Sequence, residues 1–279
     1  MIAKNSVEKL GYEQFRDVLE ASLQVPYRLF VLVDDSTSDA TRRAVRRFAE
    51  EHNVELIVER SGAERPTRAT ARQRAIDVFL ERTVDPWLMF LDDDVILIGG
   101  WWGEAVRHMQ EPRVGLIWGV DYTLRWRSRL AYLEARGAGL KDYLIQQFKI
   151  RGGLHDTLLR RRAIEGVRLP HWLHVYEDAW IKRYVECRGF EWRIVETGAL
   201  HLRSSAAGYT DEDLETAARA DALLRLHEPS LLWLLKAVAS APLRVKHQGL
   251  GGWWRTVRYR CLVLKHSRGR RADPCSAVL

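Results

Sequence analysis

Residues Trp87 to Leu97 read Trp-Leu-Met-Phe-Leu-Asp-Asp-Asp-Val-Ile-Leu, and this stretch constrains the fold more than any other. The apolar run Trp87 to Leu91 is short and uninterrupted, which predicts a strand buried on both faces. Asp92, Asp93 and Asp94 stand where that strand would emerge. Three adjacent negative charges repel one another and gain nothing from burial, so they call for a compensating partner. A divalent cation suits them, because hard oxygen ligands favour magnesium or manganese. In open α/β sheets, ligand sites lie beyond the carboxyl ends of strands, which is where these carboxylates fall. A solvated turn or the acidic start of a helix would account for the same residues. The rest of the chain has to decide.

Upstream, the pattern alternates strands with helices. Ser6 to Leu23 reads as a helix with Ser6 as its N-cap, and Pro26 breaks it. Leu29 to Val33 reads as a strand that also runs into carboxylates, Asp34 and Asp35, followed by Ser36-Thr37-Ser38-Asp39, a turn leading into a helix over Thr41 to His52. Val54 to Val58 is a further strand, and Thr67 to Leu80 a further helix. Such alternation predicts a mostly parallel, doubly wound α/β sheet.

Downstream, Trp101 to Met109 suggests a helix and Val114 to Val120 a strand. Residues 125 to 150 lack a clean period and read as a variable insertion. After Gly152-Gly153 comes the run Leu154 to Leu159, then Arg160-Arg161-Arg162, which would meet phosphates or form a solvated basic turn. Glu177-Asp178 opens a helix through Cys187, Glu191 to Val195 resumes the strands, and His201 follows. A helical appendage begins at Thr210, with Asp211, Glu212 and Asp213 suiting the dipole of its first turn.

A chain of 279 residues accommodates one large α/β domain, residues 1–208, and an appendage, residues 209–279. Its 47% hydrophobic and 29% charged content describes a globular protein, not a disordered one. No apolar run reaches the length of a membrane span, and the N-terminus lacks the order of a secretion signal. Cys187, Cys261 and Cys275 form neither a zinc pattern nor a disulfide framework, which points to a reducing, cytoplasmic interior. The net charge of +7 sits in the tail: residues 229–272 hold ten Lys or Arg and no Asp or Glu.

Four separated pieces carry the chemistry: Asp34/Asp35, Asp92 to Asp94, Glu177/Asp178 and His201. Each acidic piece follows a predicted strand or opens a helix, so one sheet edge could gather them. In this order the pieces resemble the inverting nucleotide-sugar glycosyltransferases of family two, which have the GT-A fold. Val33-Asp34-Asp35-Ser36-Thr37-Ser38-Asp39, Ala71-Arg72-Gln73, Phe90-Leu91-Asp92-Asp93-Asp94 and Glu177-Asp178 ahead of Arg188-Gly189 carry the resemblance, over roughly residues 3 to 205.

The resemblance implies a GT-A type sheet with a C-terminal helical appendage, and a role for each piece. Asp34, Asp35, Arg72, Asp92 and Asp93 would contact the nucleotide sugar, UDP-, GDP- or dTDP-linked. Asp92, Asp94 and His201 would hold Mg2+ or Mn2+, which offsets charge developing on the departing diphosphate. Asp178 would be the general base and Glu177 its support. Gln73 departs from the family's usual Asn. The family's first strand is also curtailed: Met1 stands almost at the loop that follows it, so either the strand is a stub or the chain starts downstream of the true start.

Two other classes compete. A nucleotidyltransferase of related fold would carry a Gly-rich basic loop near the N-terminus, which is not found. A nucleotide-sugar or nucleic-acid binding module would suit the basic tail but would need no Glu177/Asp178. In that tail, Leu231 to Ala239 is apolar; Trp254, Val257, Cys261 and Leu264 follow helical spacing, with Arg255, Arg258 and Lys265 on another face. Trp253 and Tyr259 add rings suited to a membrane interface. Such a tail would close over the domain or rest on the cytoplasmic membrane face, where a glycan or polyprenyl-phosphate acceptor would be met. Nucleic acid lacks a recognition module here.

Overall fold

The computed structural model describes residues 1–122, 137, 139–202, 210–267 and 274–277. The first half runs β1 (Ile2–Ala3), α1 (Ser6–Leu10), α2 (Tyr12–Ser22), β2 (Leu29–Asp34), α3 (Ala40–Glu51), β3 (Glu55–Glu59), α4 (Arg68–Arg82) and β4 (Trp87–Leu91). It continues with β5 (Val95–Leu97), α5 (Trp101–Met109), β6 (Val114–Asp121), α6 (Leu140–Arg151), β7 (Asp156–Arg160), α7 (Arg161–Ile164), α8 (Glu177–Cys187) and β8 (Glu191–His201). The appendage is α9 (Asp211–Leu224), α10 (Leu231–Ala239) and α11 (Ala241–His266), with a short 3-10 turn at Pro274–Ala277. The expected domain boundary at 208/209 and most of the expected insertion, residues 125–136 and 138, lie outside the described residues; its end, residues 140–150, lies in α6.

Strands β1, β2 and β3 are parallel, with Ile2 opposite Val33 and Leu29 opposite Glu55. The other five run in the order β4-β7-β6-β8-β5, and there only β6 and β8 are parallel. The α/β class is as expected, but strand direction in this half is mixed. The turn between β4 and β5 is too short for a parallel crossover, and local patterning carries no sign of direction. A single bridge between Ile2 and Asp92 joins the two sets of strands. Strand β1 pairs with β2: Val33 N–H donates to Met1 O at 3.0 Å and Asp35 N–H to Ala3 O at 3.1 Å.

Alternation along the strands fills a core on each face of the sheet. Leu32, Leu91 and Leu158 join the core beneath α2, α3 and α5; Val33, Phe90 and Leu159 join the one beneath α4, α6 and α8. The expected helix 6–23 is divided at Gly11, whose φ of 83° only glycine adopts readily. Its N-cap is Asn5, and Ser6 sits one position inside.

The basic run 160–162 belongs to the fold, neither to phosphate nor, except for Arg162, to solvent. Arg160 donates to the carbonyls of Met109 at the end of α5, Glu111 just past it and Val114 at the start of β6. Arg161 donates to those of Phe79, Leu80, Thr83 and Asp85, at the end of α4. Both satisfy carbonyls that a helix end leaves orphaned, and their charge suits the negative end of the dipole.

Two further expectations are corrected. Cys187 and Cys275 are joined as a disulfide with Cα atoms 5.4 Å apart, tying the last turn of the chain to the end of α8; Cys261 is free and exposed. In the tail, Val257 is buried while Trp254 is exposed, so the expected apolar stripe does not face one way. Trp253 Nε1 donates to Ala237 O at 3.1 Å and Tyr259 points inward, so neither ring is set out for an interface. Helix α11 kinks at Gly249.

The capping role of the arginines gives a contrast between neighbours. Arg161→Ala should cost about 2–4 kcal/mol of stability, since it strips several carbonyls of a charged donor, whereas exposed Arg162→Ala should stay within about 0.5 kcal/mol. Urea denaturation of the two variants measures the difference.

Candidate active site

The three consecutive carboxylates diverge. Asp92 ends the β4 run, and Asp93 and Asp94 form the tight turn into β5. Asp92 Oδ1 lies 3.1 Å from Arg72 Nη2. Asp93 accepts from the Ser6 hydroxyl at the start of α1, and Asp94 faces His201 Nε2 at 4.0 Å. The repulsion expected from the sequence is relieved because each carboxylate has its own partner. Burial raises the Asp92 carboxyl, but Arg72, then Arg68, His201 and His155, outweigh it and hold the group below the usual range.

Arg72, on α4, is nearly fully buried. Its Nε lies 3.1 Å from Glu177 Oε1, its Nη1 donates to Leu154 O at 3.1 Å, and its guanidinium lies 5.3 Å from the centre of the Phe90 ring. Expected to contact the nucleotide or to cover the sheet, it lines the cleft and joins the Asp92 segment to the first turn of α8.

Asp92, Asp94 and His201 each offer a ligand atom, all within 4.8 Å of one another. His201 ends β8, and its Nδ1 lies 2.9 Å from Asp121 at the end of β6. A carboxylate on one ring nitrogen leaves the other for a metal, the usual arrangement behind a ligating histidine. Two carboxylates and an imidazole fit Mn2+ or Mg2+. Behind them, Trp118 Nε1 donates to His155 Nε2 at 3.0 Å, His155 Nδ1 pairs with Asp156, and Trp101 Nε1 donates to Asp156 at 2.8 Å. The His155 and His201 rings meet edge to face, 5.0 Å apart.

Glu177 and Asp178 open α8. Burial pushes both carboxyls above the usual range; Arg72 opposes this at Glu177, and Arg151 followed by Arg72 at Asp178. Gly152 makes the approach possible: its φ is 76°, and a Cβ there would lie 2.9 Å from the Asp178 carbonyl. Asp35 Oδ1 accepts from Ser61 N–H at 3.1 Å. Asp34 is fully buried, with one oxygen on Ser36 N–H and the other 3.1 Å from Arg42. Expected as a nucleotide contact, Asp34 instead builds the turn that presents Asp35.

Asp35, Asp92, Asp94, Asp178 and His201 line one cleft of about 3090 Å³, whose far wall is formed by the tail. Sequence reasoning missed Asp121, His155 and Asp156. Asp121 carried the same signal as Asp92, a carboxylate closing an apolar strand; His155 and Asp156 carried none, since their place follows from the antiparallel course of β7.

Residues 3–166 match the family model described as Glycosyl transferase family 2. No curated protein matches the chain. Among solved structures, the mannosyltransferase PcManGT from Pyrobaculum calidifontis, in complex with GDP-Man and Mn2+, is 17% identical, with a TM-score of 0.55 over 96% of this chain and 74% of its own. Glucosyl-3-phosphoglycerate synthase from Mycobacterium tuberculosis, in complex with Mn2+, UDP and glucosyl-3-phosphoglycerate, is 14% identical, with a TM-score of 0.52 over 81% of this chain and 79% of its own. TarS 1-349 of S. aureus is 14% identical, with a TM-score of 0.52 over 96% and 87%. These likenesses show a shared fold. The family match spans more than half of the chain, and by it the chain belongs to glycosyl transferase family 2, as a nucleotide-sugar-dependent glycosyltransferase of GT-A fold.

Proposed function

We propose that the enzyme transfers a sugar from a nucleoside diphosphate to an acceptor with inversion, using Asp178 as base and Mn2+ or Mg2+ at Asp92, Asp94 and His201. The observation that carries this reading is the shared cleft, which holds the candidate metal ligands and Glu177/Asp178 together. Asp35 would receive the nucleotide, with Arg72 holding the acidic pieces in register; Asp93, on the same turn, would border the donor. The nucleotides bound in the structural neighbours, GDP-Man and UDP, fit a donor that is a UDP-, GDP- or dTDP-linked sugar.

In the reaction, the acceptor oxygen attacks the anomeric carbon from the face opposite the diphosphate. Asp178 takes the acceptor proton as the new C–O bond forms. The bond to the diphosphate breaks, and its electron pair stays on the departing phosphate oxygen. A bound divalent cation would offset that charge.

Asp94→Asn should abolish Mn2+-dependent binding of UDP or GDP while leaving the fold intact; His201→Ala should weaken it less. Calorimetry decides, and unchanged Mn2+-dependent binding by folded Asp94→Asn would remove the metal assignment.

Asp178 must be ionised to accept a proton, and burial raises its pKa. Transfer should therefore fall as pH drops through a midpoint above about 3.9, the ordinary aspartate value. Asp178→Asn should lower kcat by about 10²–10⁴-fold with donor binding retained. A pH profile flat down to that ordinary value would count against the base. The acceptor is a glycan hydroxyl or a polyprenyl phosphate, and a mild Asp178→Asn effect selects the phosphate, which arrives ionised.

We further propose that the enzyme works at the cytoplasmic face of a membrane. Among the described residues no helix is long and apolar enough to cross one, so the contact would be peripheral. Of the eleven large apolar side chains left exposed among the described residues, seven lie between residues 231 and 254. Leu231, Leu232, Leu235 and Val238 are one face of α10, exposed by 67%, 61%, 53% and 44%. Exposed Lys236, Lys246 and Arg255 stand among them, and no acid lies between residues 229 and 272. An exposed apolar face in a segment that also exposes basic residues suits an anionic lipid surface, where each basic residue near it adds about 1 kcal/mol. The protein should float with anionic liposomes, less with neutral ones, and Leu231→Asp with Leu235→Asp should release it. Equal, negligible binding to both liposomes would leave the tail without a membrane role.

A further inference from the structure

The residue that precedes Glu177 and Asp178 is in an unusual conformation. Tyr176 caps α8 at φ 69° and ψ 23°. A side chain with a Cβ enters this left-handed region only when its surroundings hold it there. The Tyr176 hydroxyl lies 3.1 Å from that of Tyr259 on α11. Tyr259 in turn donates to the Asp221 carboxylate on α9 at 2.5 Å. Its one proton is then committed, so Tyr176 donates and Tyr259 accepts.

This chain of contacts is anchored deep in the tail. Asp221 is fully buried and also accepts from the backbone N–H of His227 at 3.0 Å and from its Nδ1 at 2.6 Å. Burial, with Tyr176 and Asp221 beside it, pushes the Tyr259 phenol far above its usual range, which keeps the proton it donates. His227 is itself stacked on Trp233, the ring centres 5.4 Å apart. On the other side of the same turn, Gly152 brings the chain against the Asp178 carbonyl. The first turn of α8 is therefore held between the loop at Gly152 and the tail.

We propose that Tyr259 is a positioning residue for sugar transfer: it holds Tyr176, and through it the first turn of α8, so that Asp178 meets the acceptor. The proposal rests on Asp178 being the base. It makes the tail a working part of the transferase, independently of any lipid contact.

Tyr259→Phe and Tyr176→Phe each delete one hydroxyl of the same contact. Tyr176→Phe leaves the bond between Tyr259 and Asp221 in place, so it reports on the contact even if Tyr259→Phe loosens the tail. The full chain is assayed for nucleoside-diphosphate release from UDP-glucose or GDP-mannose with water as acceptor, alongside calorimetric Mn2+-dependent binding of UDP or GDP. Each single variant should lower kcat by about 10- to 100-fold, with donor KM and nucleotide affinity held within about twofold. The double variant should be no worse than Tyr259→Phe alone, because the contact between the two hydroxyls is already lost there.

An unchanged kcat in Tyr176→Phe, losses that multiply in the double variant, or nucleotide affinity falling in step with kcat would each overturn the proposal. Asp178→Asn separates the two layers. If it leaves donor turnover unchanged, the base assignment falls and this proposal with it. If it abolishes turnover while Tyr176→Phe does nothing, only the positioning role falls.

Discussion

The cleft depends on one buried guanidinium. Two carboxylates, Asp92 and Glu177, approach each other across the floor of the site, and burial alone would force protons onto them. Arg72 lies 3.1 Å from each; it fixes their separation, helps hold the Asp92 carboxyl below the usual range and opposes the rise at Glu177. A buried ion pair of this kind adds little net stability, because taking the charges out of water costs about as much as their attraction returns. What it provides is geometry. Removing one partner from such a group typically costs about 3–5 kcal/mol, since a buried charge is left without compensation. The planar, permanently charged fork of arginine is what allows two hydrogen-bond acceptors, Leu154 O and Asp92, and the Glu177 carboxylate beside them to be met at once, and lysine would not replace it.

The sequence made the first half of the fold legible because its elements obey local rules. Trp87 to Leu91 reads as a strand and is one, and Glu177 to Cys187 begins and ends where its acids and Gly189 suggest. The candidate site was legible for the same reason: carboxylates that close apolar runs are conspicuous. What escaped was set by long-range pairing. His155 reaches the site only because β7 runs antiparallel to β4 and β6. Arg160 and Arg161 read as a basic run, and only the folded chain shows that backbone carbonyls 46 to 82 residues away in sequence, several of them at helix ends, are their acceptors. The outward role of Tyr259 failed similarly, since its partner Asp221 lies on a separate helix.

The tail divides its residues between two environments on one set of helices. Its polar inner side, including Arg244, Thr256 and Tyr259, walls the cleft, while Leu250 and Trp254 are turned out. Arg258 pairs with Asp211 and Lys265 with Glu215, so part of the basic charge counted in the sequence is balanced by α9. The net charge of the segment therefore overstates the field it presents. The apolar surface, which a charge count does not register, is the more distinctive property of its exterior.

The junction of the two sets of strands has a mechanical consequence. Among the described residues, backbone pairing between them is reduced to the bridge of Ile2 with Asp92, beside side-chain contacts such as the Ser6 hydroxyl on Asp93 and Gln24 Nε2 on Leu97 O, and packing below and above the sheet adds to these. A seam with so few ladder bonds is where a sheet opens first when it fluctuates, and this one runs directly under the cleft, with Asp35 on one bank and Asp94 on the other. A molecule reaching both banks would act as a rivet across the crack. Occupancy of the cleft would then be felt as rigidity throughout the sheet, since whatever binds only the closed form stabilises all of it.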